Sequence, residues 1–144
     1  MPNFIHNFFS NQTLVTTTII VVLVLVVIFG VVQRLRPRKL KAQNFQLRWK
    51  EIEKMCGKSE MWPTAIISAD ELLDEALKTR RLRGKTMGER LVSAQRTLNN
   101  NESVWFGHKL RNKIIHEEVS KLYRRDVQIA VRGFRDALKD LGAL

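Results

Sequence analysis

From Leu14 to Val32 the chain runs nineteen residues without a charged side chain, and no Lys, Arg, Asp or Glu occurs before Arg34. The centre of that run, Ile19 to Phe29, is eleven consecutive Ile, Val, Leu and Phe residues. At about 1.5 Å per residue, nineteen helical residues cover roughly 28 Å, close to the hydrocarbon thickness of a bilayer. Thr16, Thr17 and Thr18 are compatible with it, because a hydroxyl bonds back to its own helix. A core helix that long would be apolar all round only in a large protein. A cleavable signal peptide needs a basic start and a small-residue cleavage site. Here residues 1–12 carry only His6, and the run ends in Val31-Val32-Gln33-Arg34. The segment therefore reads as an uncleaved single-pass transmembrane helix over 14–33.

Directly after it come Arg34, Arg36, Arg38, Lys39 and Lys41 with no acid among them, a basic membrane-interface cluster. The positive-inside rule then puts the N-terminus, 1–13, outside the cell membrane with Phe4, Phe8 and Phe9 at the interface, and everything after residue 33 in the cytoplasm. The net charge of +11 suggests nucleic acid until its distribution is considered. Residues 34–50 hold seven Lys and Arg, and residues 51–144 hold the other eighteen against all fourteen acids, a balance of +4. Most of the excess is thus explained by the lipid bilayer, at about 1 kcal/mol per basic residue near anionic headgroups. Cys56 is the only cysteine, which excludes an internal disulfide and any cysteine-based zinc site. Three His residues, with His6 across the membrane from the others, make no metal site, and no cofactor is implied. Gly84-x-x-x-Gly88 lacks the Lys-Ser/Thr and the preceding strand of a P-loop.

The remaining chain carries helical periodicity between regular turn signals, so the predicted fold is all-α: the membrane helix, a basic juxtamembrane linker and helix over 34–57, and a small up-and-down bundle of four helices over 58–144. Phe45, Trp49, Ile52 and Cys56 define the juxtamembrane helix, ended by Gly57. The periodicity does not say whether it lies on the membrane or on the bundle. Glu60 to Thr79 places Ile66, Ala69, Leu73, Ala76 and Leu77 on one face and Asp70, Glu71, Asp74 and Glu75 around the other. Thr86-Met87-Gly88-Glu89 has the form of a capping box opening a helix to about Leu98, and Asn99, Asn100 and Asn101 read as a loop. Helices over about 102–115 and 123–141 complete the set.

Chemistry concentrates in His108-Lys109-Leu110-Arg111-Asn112-Lys113-Ile114-Ile115-His116. Arg111-Asn112-x-x-x-His116 resembles the Arg-x4-6-His motif of the HEPN superfamily of helical bundles, and its place near the end of a late helix matches as well. The resemblance implies metal-independent RNA cleavage in active members, with Arg and His from two protomers meeting at a dimer interface, and binding or scaffolding in the others. A guanidinium fork suits a phosphate, and an imidazole suits transfer of a 2′-hydroxyl proton. On a straight helix, however, positions 111 and 116 stand about 140° apart. The other reading is structural: Val104, His108, Arg111 and Ile115 share a face, Arg111 points inward to an acid such as Glu71 or Asp74, and His116 sits at the helix C-terminus, where a cation is favoured. An RNase would need a basic track. Arg80, Arg81, Arg83, Arg124 and Arg125 are scattered instead, while Trp105, Phe106 and Tyr123 read as packing residues.

The soluble part also resembles a group of bacterial one-pass membrane proteins with a Trp-x-x-Ala-Ile helix start and a Met-Gly-Glu-Arg-Leu turn, here Trp62 to Ile66 and Met87 to Leu91. The expectation is a membrane-anchored, HEPN-like bundle acting as a dimerisation or partner-binding module, possible as a homodimer. The alternative is a tethered metal-independent RNase with Arg111, Asn112 and His116 as catalytic residues, RNA being the less favoured partner.

Overall fold

A computed structural model describes residues 2–35, 40–116 and 121–144, with side chains from Leu14 onward except that of Leu35. Two compact units emerge, Met1–Arg36 and Pro37–Leu144. Among the described residues all regular structure is helical.

The first unit is one helix, α1 (Pro2–Leu35). Its segment Leu14–Arg34 is 21 residues long, apolar enough to cross a membrane, and buried nowhere against protein. The threonines fit as their chemistry requires: Thr17 Oγ1 and Thr18 Oγ1 both donate to the Leu14 carbonyl, at 2.9 and 2.7 Å. Of the five basic interface residues, Arg34 and Lys41 are exposed. Arg36, Arg38 and Lys39 lie outside the described residues.

Among its described residues the second unit is a bundle of five α-helices, α2 (Ala42–Cys56), α3 (Trp62–Thr79), α4 (Met87–Ala94), α5 (Asn101–Ile115) and α6 (Arg124–Asp140). A 3-10 turn, Ser59–Met61, precedes α3. α2 packs on the bundle: Phe45, Trp49 and Ile52, spaced i, i+4 and i+7, are all buried against α3. Its end is tied to the start of α3 by Trp62 Nε1, which donates to the Cys56 carbonyl at 3.0 Å.

α3 is the central helix, in contact with α2, α4, α5 and α6. Ile66, Leu72, Leu73 and Leu77 are fully buried on it, alongside Ala65, Ala69 and Ala76. Asp70 departs from the sequence expectation. The periodicity assigns it to the polar side of α3, yet it is buried, because Ile66, Asp70, Leu73 and Leu77 run i, i+4, i+7, i+11 and put the carboxylate inside the apolar stripe.

α4 stops at Ala94, four residues short of the expected end. Asn101 Nδ2 donates to the carbonyls of Gln95 at 2.9 Å and Leu98 at 2.8 Å, offering that backbone an alternative to the helix. The asparagine run is correspondingly more than a loop. Asn100 caps α5 by accepting from the Ser103 N–H at 3.3 Å, and Asn101 is the first residue of the helix.

α5 and α6 make the most extensive contact in the bundle, and two glycines allow it. A Cβ at Gly107 would stand 2.6 Å from Phe134 Cζ, and one at Gly133 would stand 2.6 Å from the Ser103 carbonyl carbon. This close approach fixes the position of α5, which carries the motif residues.

Candidate functional site

Two side chains of α5, His108 and the motif's Arg111, meet one carboxylate of α3, and the motif's Asn112 links them. Asp70 Oδ1 lies 2.9 Å from His108 Nδ1, and Asp70 Oδ2 lies 3.4 Å from Arg111 Nε. Arg111 Nη1 donates to Asn112 Oδ1 at 3.2 Å, and Asn112 Nδ2 faces His108 Nε2 at 3.5 Å. The four side chains thus close a ring, Asp70 to His108 to Asn112 to Arg111 and back. A neutral His108 with its proton on Nδ1 satisfies the ring in one sense throughout: guanidinium to amide oxygen, amide N–H to imidazole, imidazole N–H to carboxylate. The imidazole is further braced by Trp105, edge-on with ring centres 6.1 Å apart.

The ring is tight but incomplete in one place. Arg111 Nε is buried with no hydrogen-bond partner; it is near enough to Asp70 to attract it electrostatically but is not aligned to donate. The side chain of Asp70 is only 4% exposed, so its charge has little water and depends on the His108 donor and the nearby Arg111 guanidinium.

One turn further along α3, Asp74 repeats the arrangement with α4. Arg90 Nε donates to Asp74 Oδ1 at 2.7 Å, with Arg90 Nη2 2.6 Å from the same oxygen, while Lys78 Nζ reaches Oδ2 at 2.6 Å. Arg90 Nη1 also donates to the carbonyls of Gly84 at 2.8 Å and Lys85 at 3.1 Å, pinning the turn that leads into α4. Burial alone would push the Asp74 carboxyl up. The hydrogen bonds and charges of Lys78 and Arg90 outweigh it and hold the group below the usual carboxylate range. At the start of α4, Glu89 N donates to Thr86 Oγ1 at 3.2 Å and the Glu89 carboxylate accepts from Lys85 N at 2.7 Å, a capping box shifted by one residue.

Between these two clusters lies a hollow of about 430 Å³ bordered by Asp70, Asp74, Thr86, Gly88, His108 and Arg111. Of the candidate catalytic residues, Arg111 and Asn112 are therefore together and joined to His108 and Asp70. His116 is the C-cap of α5: its backbone N–H bonds the Asn112 and Ile114 carbonyls, and its side chain is exposed. Among the described residues its imidazole makes no hydrogen bond to Arg111 or Asn112. The acid that meets Arg111 is Asp70; neither Glu71 nor Asp74, the acids expected from the sequence, takes that place. Among the described residues no group of three or more His, Cys, Asp or Glu is arranged to hold a metal ion.

Sequence reasoning missed Asp70 and Arg90. The signal was present in both cases. Each charged residue interrupts an apolar stripe, Asp70 between Ile66 and Leu73 and Arg90 between Met87 and Ala94, and the two interruptions belong to helices that pack together.

Compared with protein-family models, curated proteins and solved structures, the chain matches none. What the fold defines is a class: among the described residues, an all-α protein with one apolar helix of membrane-spanning length and, later in the chain, a helical bundle.

Proposed function

We propose that the protein is a single-pass membrane protein, with its N-terminus outside the cell membrane, whose cytosolic HEPN-like bundle acts as a dimerisation or partner-binding module. The ring that commits Arg111 to Asp70 and Asn112 carries this reading. A guanidinium engaged with a buried carboxylate is poorly placed to hold a phosphate, and His116 stands apart from it at the helix end. On this view Asp70, His108, Asn112 and Arg111 hold α5 against α3 and so keep the outer face of α5 in one shape. The length and apolarity of Leu14–Arg34 support the anchor. The excess of basic over acidic residues just after the helix supports the cytosolic side for the bundle. Tethering raises the effective concentration of bundles at the bilayer, so that weak pairing between copies becomes appreciable.

The experiment incubates the full chain, in detergent, with single-stranded RNA in EDTA beside an Arg111→Ala and His116→Ala double variant, and measures oligomeric state by sedimentation. A self-associating chain or one that captures a partner, with RNA left intact, is the expected result. Cleavage by the wild type that the double variant loses would establish the tethered RNase instead.

A further inference from the structure

Apart from the cluster around Asp70, with which it shares no lining residue, a cleft of about 320 Å³ opens between α2, the start of α3 and α6. That volume is at the lower end of the range of small-molecule sites. Its floor includes the indoles of Trp49 and Trp62. Both indole N–H groups are already used, Trp49 Nε1 donating to Glu53 Oε1 at 2.8 Å and Trp62 Nε1 to the Cys56 carbonyl. The rings therefore offer a ligand apolar edges and faces only.

The polar wall is almost entirely cationic. Arg124, Arg132 and Arg135 of α6 line it, against the single carboxylate of Glu53. Arg135 Nη1 is 3.7 Å from Glu53 Oε1, and both side chains are about half exposed, a pair of the weak, easily exchanged kind. Arg124 and Arg132 are exposed and form no ion pair among the described residues. Arg132 and Arg135 lie about one helical turn apart on α6 and both line the cleft, Arg135 beside Glu53, while Arg124 lies about 12 Å further along α6 from Arg132. Two guanidinia without a carboxylate partner among the described residues, and a third held only by the weak, exposed pair with Glu53, beside an apolar floor suit a ligand that supplies both an anion and an apolar body.

We infer that this cleft binds a phosphate monoester with an aromatic or alkyl body, its phosphate held by Arg132 and Arg135 and its apolar part lying along Trp49 and Trp62. Guanidinium forks match phosphate oxygens two at a time, which a lone ammonium cannot do. The phosphate chemistry is common to a soluble ester and to the headgroup of phosphatidic acid in the membrane. The assignment is independent of the role of Arg111, which lies in the other cluster.

The test uses the full chain in nanodiscs of phosphatidylcholine and follows tryptophan emission during titration with phenyl phosphate, with inorganic phosphate as reference. A second arm replaces part of the lipid with phosphatidic acid. The expected result is a saturable change with phenyl phosphate, at least tenfold tighter than with inorganic phosphate, or an emission already shifted in the phosphatidic acid discs; the first identifies a soluble ester, the second the lipid headgroup. In either case Arg132→Gln with Arg135→Gln abolishes the change, and the paired Lys substitutions, which keep the charge but lose the fork, weaken it. Both positions are exposed, and unchanged helicity by circular dichroism confirms that the variants fold. Absence of a saturable change in both arms, or the same change in the Gln variant, overturns the assignment.

Discussion

Asp70 of α3 holds His108 of α5 at 2.9 Å from deep within an apolar stripe. A carboxylate in that position is tolerated because His108 and Arg111 face it, with Asn112 bridging the two, and each of them then acquires a structural duty. Replacing His108 with Ala removes the donor facing Asp70 Oδ1 and leaves a buried acceptor with one partner fewer. A loss of about 1–3 kcal/mol in unfolding free energy is expected, read from urea denaturation of the full chain in detergent.

Asp74 gives the pH dependence. Its carboxyl is lowered in the folded state by Lys78 and Arg90 against the opposing effect of burial. A depressed folded value means that the stabilisation is fully present above the unfolded carboxylate range, about pH 4, and is lost as pH falls through the lower folded value. Wild type should therefore exceed Asp74→Asn in stability at pH 6, with the gap closing below about pH 4. A gap that stays constant from pH 6 to pH 3 would contradict the pairing.

The α5 and α6 crossing leaves no room for a methyl group at Gly133, where a Cβ would meet the Ser103 backbone at 2.6 Å. Gly133→Ala should cost about 1–3 kcal/mol despite the higher helix propensity of Ala. Gly88→Ala, whose Cβ would stand an ordinary 3.7 Å from the Trp105 ring, should be close to neutral and serves as the control in the same thermal melt.

Cys56 should be a sluggish nucleophile. Burial first, and then the negative charge of Glu53, push its thiol above the ordinary range. Alkylation by iodoacetamide at pH 8 should run slower than for a free cysteine, and Glu53→Gln should accelerate it modestly. Reaction at the free-thiol rate would show that neither effect reaches the sulfur.

Much of this architecture is legible in the residue pattern. Phe45, Trp49 and Ile52 announce α2 by spacing, Thr86 and Glu89 announce the start of α4, and the charge-free run through Val32 announces α1. The periodicity is less able to say where a charged residue points when it interrupts an apolar stripe. Asp70 has two cationic or polar partners, His108 and Arg111, both on α5 and 38 and 41 residues away in sequence, so its burial follows from the packing of two helices and not from the local pattern. The early end of α4 has the same origin. It depends on Asn101 reaching back for the Gln95 and Leu98 carbonyls, a competition between side-chain and helical hydrogen bonds that helix propensity alone does not resolve.

The central claim is that Arg111 is engaged by Asp70 to hold α5 on α3, and a double-mutant cycle with Asp70→Asn and Arg111→Gln tests it most directly. Both substitutions remove charge, Asp70→Asn at nearly constant shape and Arg111→Gln with a shorter polar side chain. The account predicts that each single variant is destabilised and that the double variant loses less than their sum, with a coupling energy of about 1 kcal/mol or more. Single variants that leave the unfolding free energy unchanged, or losses that simply add, would contradict it and leave Arg111 free for a substrate.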